Sequence, residues 1–388
     1  MRFQKVYLEN ILSFRNALLP DLGSVNILIG PNASGKSNLL DALSLLQAVP
    51  TNNLAGPISR GGGIQEWLWR GQGSNTGIAT IECDLEVEKS RVPLHYLLSI
   101  QEANPFTIRE ERLIPLTRGA NSARPFFDRH NGRIVFSGRV NEIGDQIPSA
   151  ESALSSFRDP TKKRELTAVG KGFEAIRIYR NFDTSLGPGG GARHGVSTSY
   201  LPVSGLAEDG FNLALILSRM RINGSIQRVE SYLSQFVERF GEVHVDPTGG
   251  MARLYIREQG LQRPTPGLRL SDGTLKLLCL LVVLFNSESE SSLVCIDEPE
   301  TGLHPDAVRL LARAITEASP RMQLIIATHS DALVDEFSDT PEAVVVCEND
   351  ARNGTAFKRL SRKKLKAWLQ DYSLGELWRK GAIGGNPW

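Results

Sequence analysis

Val25-Asn26-Ile27-Leu28-Ile29-Gly30-Pro31-Asn32-Ala33-Ser34-Gly35-Lys36-Ser37 is an apolar run, a glycine-bounded loop and a lysine followed by a hydroxyl residue. That order predicts a strand, a phosphate-binding loop and the start of a helix. Gly30, four intervening residues and then Gly35-Lys36-Ser37 fit the spacing of a P-loop, whose glycines let backbone N–H groups turn inward onto phosphate oxygens at a helix N-terminus. In such a loop Lys36 reaches the β- and γ-phosphates and Ser37 ligates Mg²⁺, so ATP and Mg²⁺ are the expected cofactors. Gly30, Asn32, Ala33, Ser34, Gly35, Lys36, Ser37 and Asn38 form the expected nucleotide-contacting set. The plain alternative is an ordinary glycine turn. Leu39, Leu40, Leu43, Leu46 and Val49 recur at helical spacing up to Pro50, and this context favours the phosphate loop.

Outward from this stretch, the chain of 388 residues is long enough for two domains, or for one large domain with an inserted lobe. Lysine and arginine number 44 against 43 aspartates and glutamates, so there is no global pull toward nucleic acid or anionic lipid. Any polyanion site must be a local patch. The stretch Met1-Arg2-Phe3-Gln4-Lys5 opens no apolar core of signal-peptide length and no apolar run is long enough to span a bilayer, so a cytoplasmic protein without a membrane partner is expected. Cys83, Cys279, Cys295 and Cys347 form no C-x-x-C pair, and neither they nor the six histidines show metal-ligand spacing.

Residues before the loop alternate from Val6 to Ile11 and resume at Phe14, which predicts a short β-meander leading into Val25. Gly61-Gly62-Gly63 followed by Ile64-Gln65-Glu66-Trp67-Leu68-Trp69 reads as a loop that docks two tryptophans. Between Ile78 and Phe136 short β-rich runs alternate with turn residues, and Asp128-Arg129-His130-Asn131-Gly132-Arg133 is a hairpin signal. Gly187-Pro188-Gly189-Gly190-Gly191 reads as a mobile loop, and 209–240 as a long helical stretch followed by strands near Val243 and Leu254. Late in the chain, Leu293-Val294-Cys295-Ile296, Leu324-Ile325-Ile326-Ala327 and Ala343-Val344-Val345-Val346-Cys347 are continuous apolar runs, as in parallel strands buried on both faces. The expected fold is therefore α/β, with a mixed or parallel sheet flanked by helices and shared between the P-loop strand and these late strands. An antiparallel, partly helical lobe is inserted. We divide the chain into 1–77 (first part of the nucleotide-binding head), 78–260 (inserted lobe) and 261–388 (second part of the head).

Three further motifs carry chemistry. Leu293 to Ile296 runs into Asp297-Glu298 at the C-terminal end of a strand, where α/β folds place their ligands. This pattern fits a Walker B element, with Asp297 holding Mg²⁺ and Glu298 orienting and deprotonating the attacking water; a solvated acidic turn is the bland reading. Leu270-Ser271-Asp272-Gly273-Thr274-Leu275-Lys276 opens a buried helix, where the Ser271 hydroxyl, the Gly273 N–H and the helix dipole make a second anion site, or else Ser271 is simply an N-cap. In Ala327-Thr328-His329-Ser330, His329 at a strand end could bond the γ-phosphate or Glu298, although a lone histidine is often structural.

Taken with Cys295-Ile296-Asp297-Glu298-Pro299-Glu300-Thr301-Gly302-Leu303-His304-Pro305, these motifs resemble the RecF/SMC-like and OLD-type branch of the ABC ATPases. Bacterial predicted ATPases of that branch also carry segments similar to Asp209-Gly210-Phe211-Asn212-Leu213-Ala214 and to Trp368-Leu369-Gln370-Asp371-Tyr372-Ser373-Leu374-Gly375-Glu376-Leu377-Trp378. The resemblance implies an ATP-hydrolysing P-loop NTPase that works as a nucleotide-dependent homodimer, with catalytic Lys36, Glu298 and His329. Its signature loop at Ser271 and Gly273 would act on the nucleotide of the opposite subunit. It also implies either a DNA-associated role in repair or phage defence, or a nucleotide-gated module that controls a partner effector. The turn after Glu298 departs from the D-loop of transporter ATPases, no heptad run marks a coiled-coil arm, and only Glu348 and Asp350 follow the last strong strand, too few acids for a Toprim nuclease. Gln65 is the candidate for the family's Q-loop glutamine, against a plainer reading as a solvent-facing residue. Lys162-Lys163-Arg164 and the later group Arg359, Arg362, Lys363, Lys364 and Lys366 could meet nucleic-acid phosphates, though such clusters are ordinarily solvated helix faces.

Overall fold

The structure is a computed structural model and describes residues 1–71, 76–88, 90–116, 124–136, 142–143, 147–185, 196–197, 205–248 and 251–385. The glycine-rich 187–191 stretch lies outside them. A 14-stranded mixed sheet runs through the molecule. One end is parallel, in the order Ile176–Tyr179, Leu293–Asp297, Leu324–Ala327, Val25–Ile29, Val344–Asp350. These strands are short and apolar because both faces are covered, and Ile27, Leu28, Ile29, Ile325 and Val345 have no exposed surface.

From Val344–Asp350 the sheet turns antiparallel through Gly354–Arg359, Phe14–Leu19, Arg2–Ile11, Ile78–Glu86, Leu94–Glu102, Phe106–Pro115, Phe127–His130, Arg133–Phe136 and Glu142–Ile143. The antiparallel strands expected after Ile78 thus extend the sheet that holds Val25–Ile29 instead of building one of their own. Asn131 (φ 46°) and Gly132 (φ 81°) make the tight turn of the predicted hairpin. The predicted meander is corrected at its third member. Arg2–Ile11 and Phe14–Leu19 pair with each other, whereas Val25–Ile29 pairs parallel with Leu324–Ala327 and Val344–Val346, because a strand that is apolar from Ile27 to Ile29 on both faces is best buried in the middle of the sheet.

Inside the antiparallel wing Glu111 is fully buried and satisfied: it accepts from the Tyr96 hydroxyl at 3.0 Å, the Ser152 hydroxyl at 2.5 Å and the Ala153 N–H at 2.7 Å. The equally buried Arg129 guanidinium lies 3.9 Å from it and donates to the Pro148 and Ser149 carbonyls. This network ties the wing to the segment that leads back to the edge strand Ile176–Tyr179.

The helix Asp272–Phe285 is buried at every position from Leu277 to Phe285, as its all-round apolar sequence requires. It packs between Ile226–Phe236 and Pro305–Ala318. The long helix expected over 209–240 is two helices, Leu213–Ile222 and Ile226–Phe236, because Gly224 between them takes φ 81°. A small antiparallel sheet pairs Phe240–Thr248 with Met251–Glu258, and short strands at Val196–Ser197 and Thr265–Pro266 join the latter. All four cysteines are buried thiols. Among the described residues no helix is long and apolar enough to cross a membrane.

Candidate functional site

Parallel register brings three loops to one edge. Asp297 pairs with Ala327 and Ala327 with Leu28, and the ladder closes through Glu298 N–H to the Ala327 carbonyl at 2.8 Å and Thr328 N–H to the Leu28 carbonyl at 3.0 Å. The glycine loop, the Asp297-Glu298 turn and Thr328-His329 therefore leave the carboxyl ends of adjacent strands, the position at which open α/β sheets bind ligands.

The glycine loop is shaped by two close approaches. A Cβ at Gly30 would overlap the Cys347 carbonyl, and one at Gly35 (φ 100°) would overlap the Thr355 hydroxyl. Beneath the loop Asn349 donates its amide to the Ala33 carbonyl at 3.0 Å, and the Thr355 hydroxyl donates to the Ser34 carbonyl at 2.9 Å. Neither residue belongs to a recognisable motif, and local spacing held no signal for them. Lys36 begins the helix Lys36–Ala48, is 5% exposed, and donates to the Gly30 and Pro31 carbonyls at 2.7 and 3.0 Å. Burial pulls its ammonium below the usual lysine range, against the opposing pull of Cys347, Asp297, Glu298 and Glu300.

Asp297 faces Ser37, whose hydroxyl bonds its carboxylate, yet Asp297 Oδ1 is buried without a partner. Burial raises this carboxyl above the usual range; the Ser37 bond and the Arg180 charge work the other way. An orphaned carboxylate oxygen beside a hydroxyl is a fitting pair of hard oxygen ligands for Mg²⁺, which takes few protein ligands and completes its shell with phosphate and water. Among the described residues no group of three or more His, Cys, Asp or Glu forms a metal cage.

Glu298 takes φ 46°, a left-handed conformation uncommon for glutamate, and its exposed carboxylate lies 3.8 Å from His329 Nε2. Burial, then the nearby Lys36 charge, depress the His329 pKa below its usual value, which leaves a neutral ring at pH 7. Glu300, read in the sequence only as part of the turn, accepts the His329 backbone N–H at 2.6 Å, while its Oε2 is buried without a partner. Lys276 donates to the Glu298 and Thr301 carbonyls at 3.1 and 2.8 Å and so ties the Ser271 helix to the same turn. Arg180 follows the strand Ile176–Tyr179, whose register sets Tyr179 beside Ile296 and hence Arg180 beside Asp297; it also pairs with Asp41. A single arginine at a strand end carries no sequence signature.

Ser271 is exposed and its hydroxyl accepts the Thr274 N–H at 3.1 Å, so it is an N-cap as well as a candidate anion ligand. A Cβ at Gly273 would sit 2.9 Å from the Gly302 carbonyl, which places this loop against the turn after Glu298. Asn32, Ser37 and Asn38 line the exposed or half-buried rim of the loop, whereas Ser34 is buried beneath it. Gln65 is exposed on the short helix Ile64–Trp67 and donates to Glu102 at 2.8 Å, while Trp67 and Trp69 dock as expected. Asp350 closes a turn by accepting from the Arg352 and Asn353 N–H groups, and Glu348 accepts from the Gly385 N–H. Lys163 lies over the Phe136 and Phe157 rings, 3.3 and 4.6 Å from their centroids, which engages part of the first basic cluster in packing.

A family model described as "AAA domain, putative AbiEii toxin, Type IV TA system" matches residues 25–335. Among solved structures the chain is similar to the SmcHead bound to the C-winged helix domain of ScpA, at 14% identity and TM-score 0.54 over 94% of this chain and 99% of that one. It is also similar to the Smc head domain with an extended coiled coil bound to the C-terminal domain of ScpA from Pyrococcus furiosus, at 13% identity and TM-score 0.52 over 95% and 99%. At such identities the likeness is one of fold. No curated protein matches the chain. With a P-loop at the head of a mixed sheet of Smc-head type and a family match spanning well over half its length, this chain belongs to that AAA-domain family of ABC-type P-loop NTPases.

Proposed function

We propose that this protein binds ATP with Mg²⁺ and hydrolyses it at a site completed by a second copy of the chain. The observation that carries the reading is the buried, unpartnered Asp297 Oδ1 facing Ser37 beside the glycine loop. Lys36 exchanges the Gly30 and Pro31 carbonyls for β- and γ-phosphate oxygens, and Ser37 and Asp297 would hold the cation, which would neutralise phosphate charge when bound. Glu298 takes the proton of the attacking water, and the neutral His329 ring beside it orients that water or bonds the γ-phosphate. At the start of a buried helix, exposed Ser271 offers its hydroxyl and half-buried Gly273 its N–H to the γ-phosphate of the opposite subunit. The direct test is nucleotide binding and turnover in Lys36→Ala: both should collapse with an unchanged melting temperature, and undiminished ATPase activity would refute the assignment.

In this reading the chain is a DNA-associated ATPase of RecF or OLD character, serving repair or phage defence. A second reading, that ATP-driven dimerisation gates a partner effector, is favoured by the toxin–antitoxin description attached to the family. Turnover measured with and without single- and double-stranded DNA separates them. Stimulation that fades with salt supports the first, and indifference to DNA supports the second.

A further inference from the structure

Trp368 is 52% exposed, whereas Trp67, Trp69 and Trp378 are 3%, 7% and 0%. It lies on a helical run made by the helix Arg362–Leu365, helical backbone at Lys366 and Ala367, and the 3₁₀ turn Trp368–Gln370. Leu365, Leu369 and Tyr372 form the inner stripe of this run and pack on the core. Lys363, Lys364, Lys366 and Trp368 are exposed, and Lys364 and Trp368 share one face because they are four residues apart. The Tyr372 ring lies 6.4 Å from Trp368, and Lys380 Nζ sits 3.4 Å over that ring. The acidic groups of the segment do not cancel this charge. Asp371 and Glu376 are the two acids between Arg362 and Lys380, against six lysines and arginines, and Glu376 accepts the Ser373 N–H at 2.9 Å. In a chain of net charge +1 this is a local concentration of cations around an exposed aromatic plane.

The same segment is hydrogen-bonded to elements that flank the candidate nucleotide site on both sides. Gly375 N–H donates to Asp335 at 2.7 Å and Leu374 N–H to Ser338 at 3.0 Å, and the helix Asp331–Asp335 starts two residues after His329. Further on, Trp378 donates its indole N–H to the Gly385 carbonyl, and a Cβ at Gly385 would lie 3.3 Å from the Cα of Gly30.

We propose that residues 362–380 form a docking surface for single-stranded nucleic acid, with an unpaired base stacked on Trp368 and phosphates held by Lys363, Lys364, Lys366 and Lys380. Occupancy is passed to the nucleotide site through the Asp335 and Gly385 bonds. The aromatic plane selects the ligand class: a base can stack on an exposed ring only when it is unpaired, while lysines alone would accept any polyanion. The inference rests on the DNA-associated reading of the function.

The test uses the full chain and a fluorescein-labelled thirty-nucleotide oligothymidylate, read by anisotropy over a range of salt, beside a duplex of equal length. Wild type should bind the single strand more tightly than the duplex. Trp368→Ala should lose roughly five- to hundredfold in affinity, as stacking losses do, while Trp368→Phe keeps most of it. The combined variant K363E/K364E/K366E should flatten the log–log salt slope by about two, from three lost phosphate contacts. DNA-stimulated turnover should fall in Trp368→Ala with basal turnover unchanged. If wild type binds and both variants bind equally well, this surface is refuted and the DNA reading stands. Failure of wild type to bind either nucleic acid removes the DNA reading and this inference together, in favour of a protein partner. Equal binding of duplex and single strand, untouched by Trp368→Ala, refutes the stacking.

Discussion

The backbone N–H of His329 donates to the Glu300 carboxylate at 2.6 Å, which joins the turn after one strand to the end of its parallel neighbour. Glu300 therefore sets where the His329 ring stands relative to Glu298. Replacing it with alanine frees that N–H and should lower kcat about ten- to hundredfold, the worth of a charge-assisted hydrogen bond, with little change in KM. Glu300→Gln keeps an acceptor oxygen and should recover most of the loss. Equal damage from both variants would mean that the charge, and not the positioning, is what counts.

Glu298→Gln separates binding from chemistry. The amide keeps size and shape but cannot take a proton, so ATP should still bind while turnover falls by roughly 10²–10⁴-fold. Equilibrium binding of a fluorescent ATP analogue, beside single-turnover hydrolysis, reads the two steps. Loss of binding would instead assign Glu298 to the metal or to the turn's conformation.

Ser271 tests whether the site is composite. A Lys36→Ala chain keeps its signature loop, and a Ser271→Arg chain keeps its P-loop but should block the γ-phosphate pocket of its partner. Each homodimer should be nearly inactive. A doubly tagged, purified mixed dimer contains one undamaged site and should recover up to about half of wild-type turnover. A mixed dimer as inactive as its parents would place Ser271 within its own site or require both sites to fire together.

Stability should carry a signature from His95, whose Nδ1 lies 2.8 Å from Asp84 and whose Nε2 lies 3.2 Å from Glu82. Hydrogen bonds to these two carboxylates raise its pKa from 6.5 to about 9. A folded-state pKa above the unfolded one contributes stability that is fully present below about pH 6.5 and is lost as pH rises through about 9, on the order of 2–3 kcal/mol. Urea midpoints at pH 6.5 and pH 9.5 should differ accordingly in wild type, and His95→Gln should show a smaller difference. An identical pH dependence in the variant would remove His95 as the cause.

Much of the fold was legible because its signals are local. Apolar runs of strand length, helical spacing after Lys36, the Asn131-Gly132 turn and the two docking tryptophans each depend on residues a few positions apart, and each appears where expected. Lys36, Ser37, Asp297, Glu298 and His329 stood out as candidates for the same reason, since the motifs that suggest phosphate and metal chemistry are particular side chains at short fixed spacings. The Gly224 break was misread because helical periodicity continues on both sides of it.

The sequence by itself determined the element types and the candidate chemistry, through backbone preference and side-chain periodicity. Only the tertiary structure decided that Val25–Ile29 lies between Leu324–Ala327 and Val344–Asp350, and that the antiparallel wing continues the same sheet. It also decided that Asn349 and Thr355 brace the glycine loop, that Arg180 stands beside Asp297, that Glu300 holds His329 and that Gly385 lies against Gly30. The physical reason is that strand neighbours are chosen by burial of whole faces and by ladder register between segments far apart in the chain, and no local spacing encodes which distant strand will complete that burial.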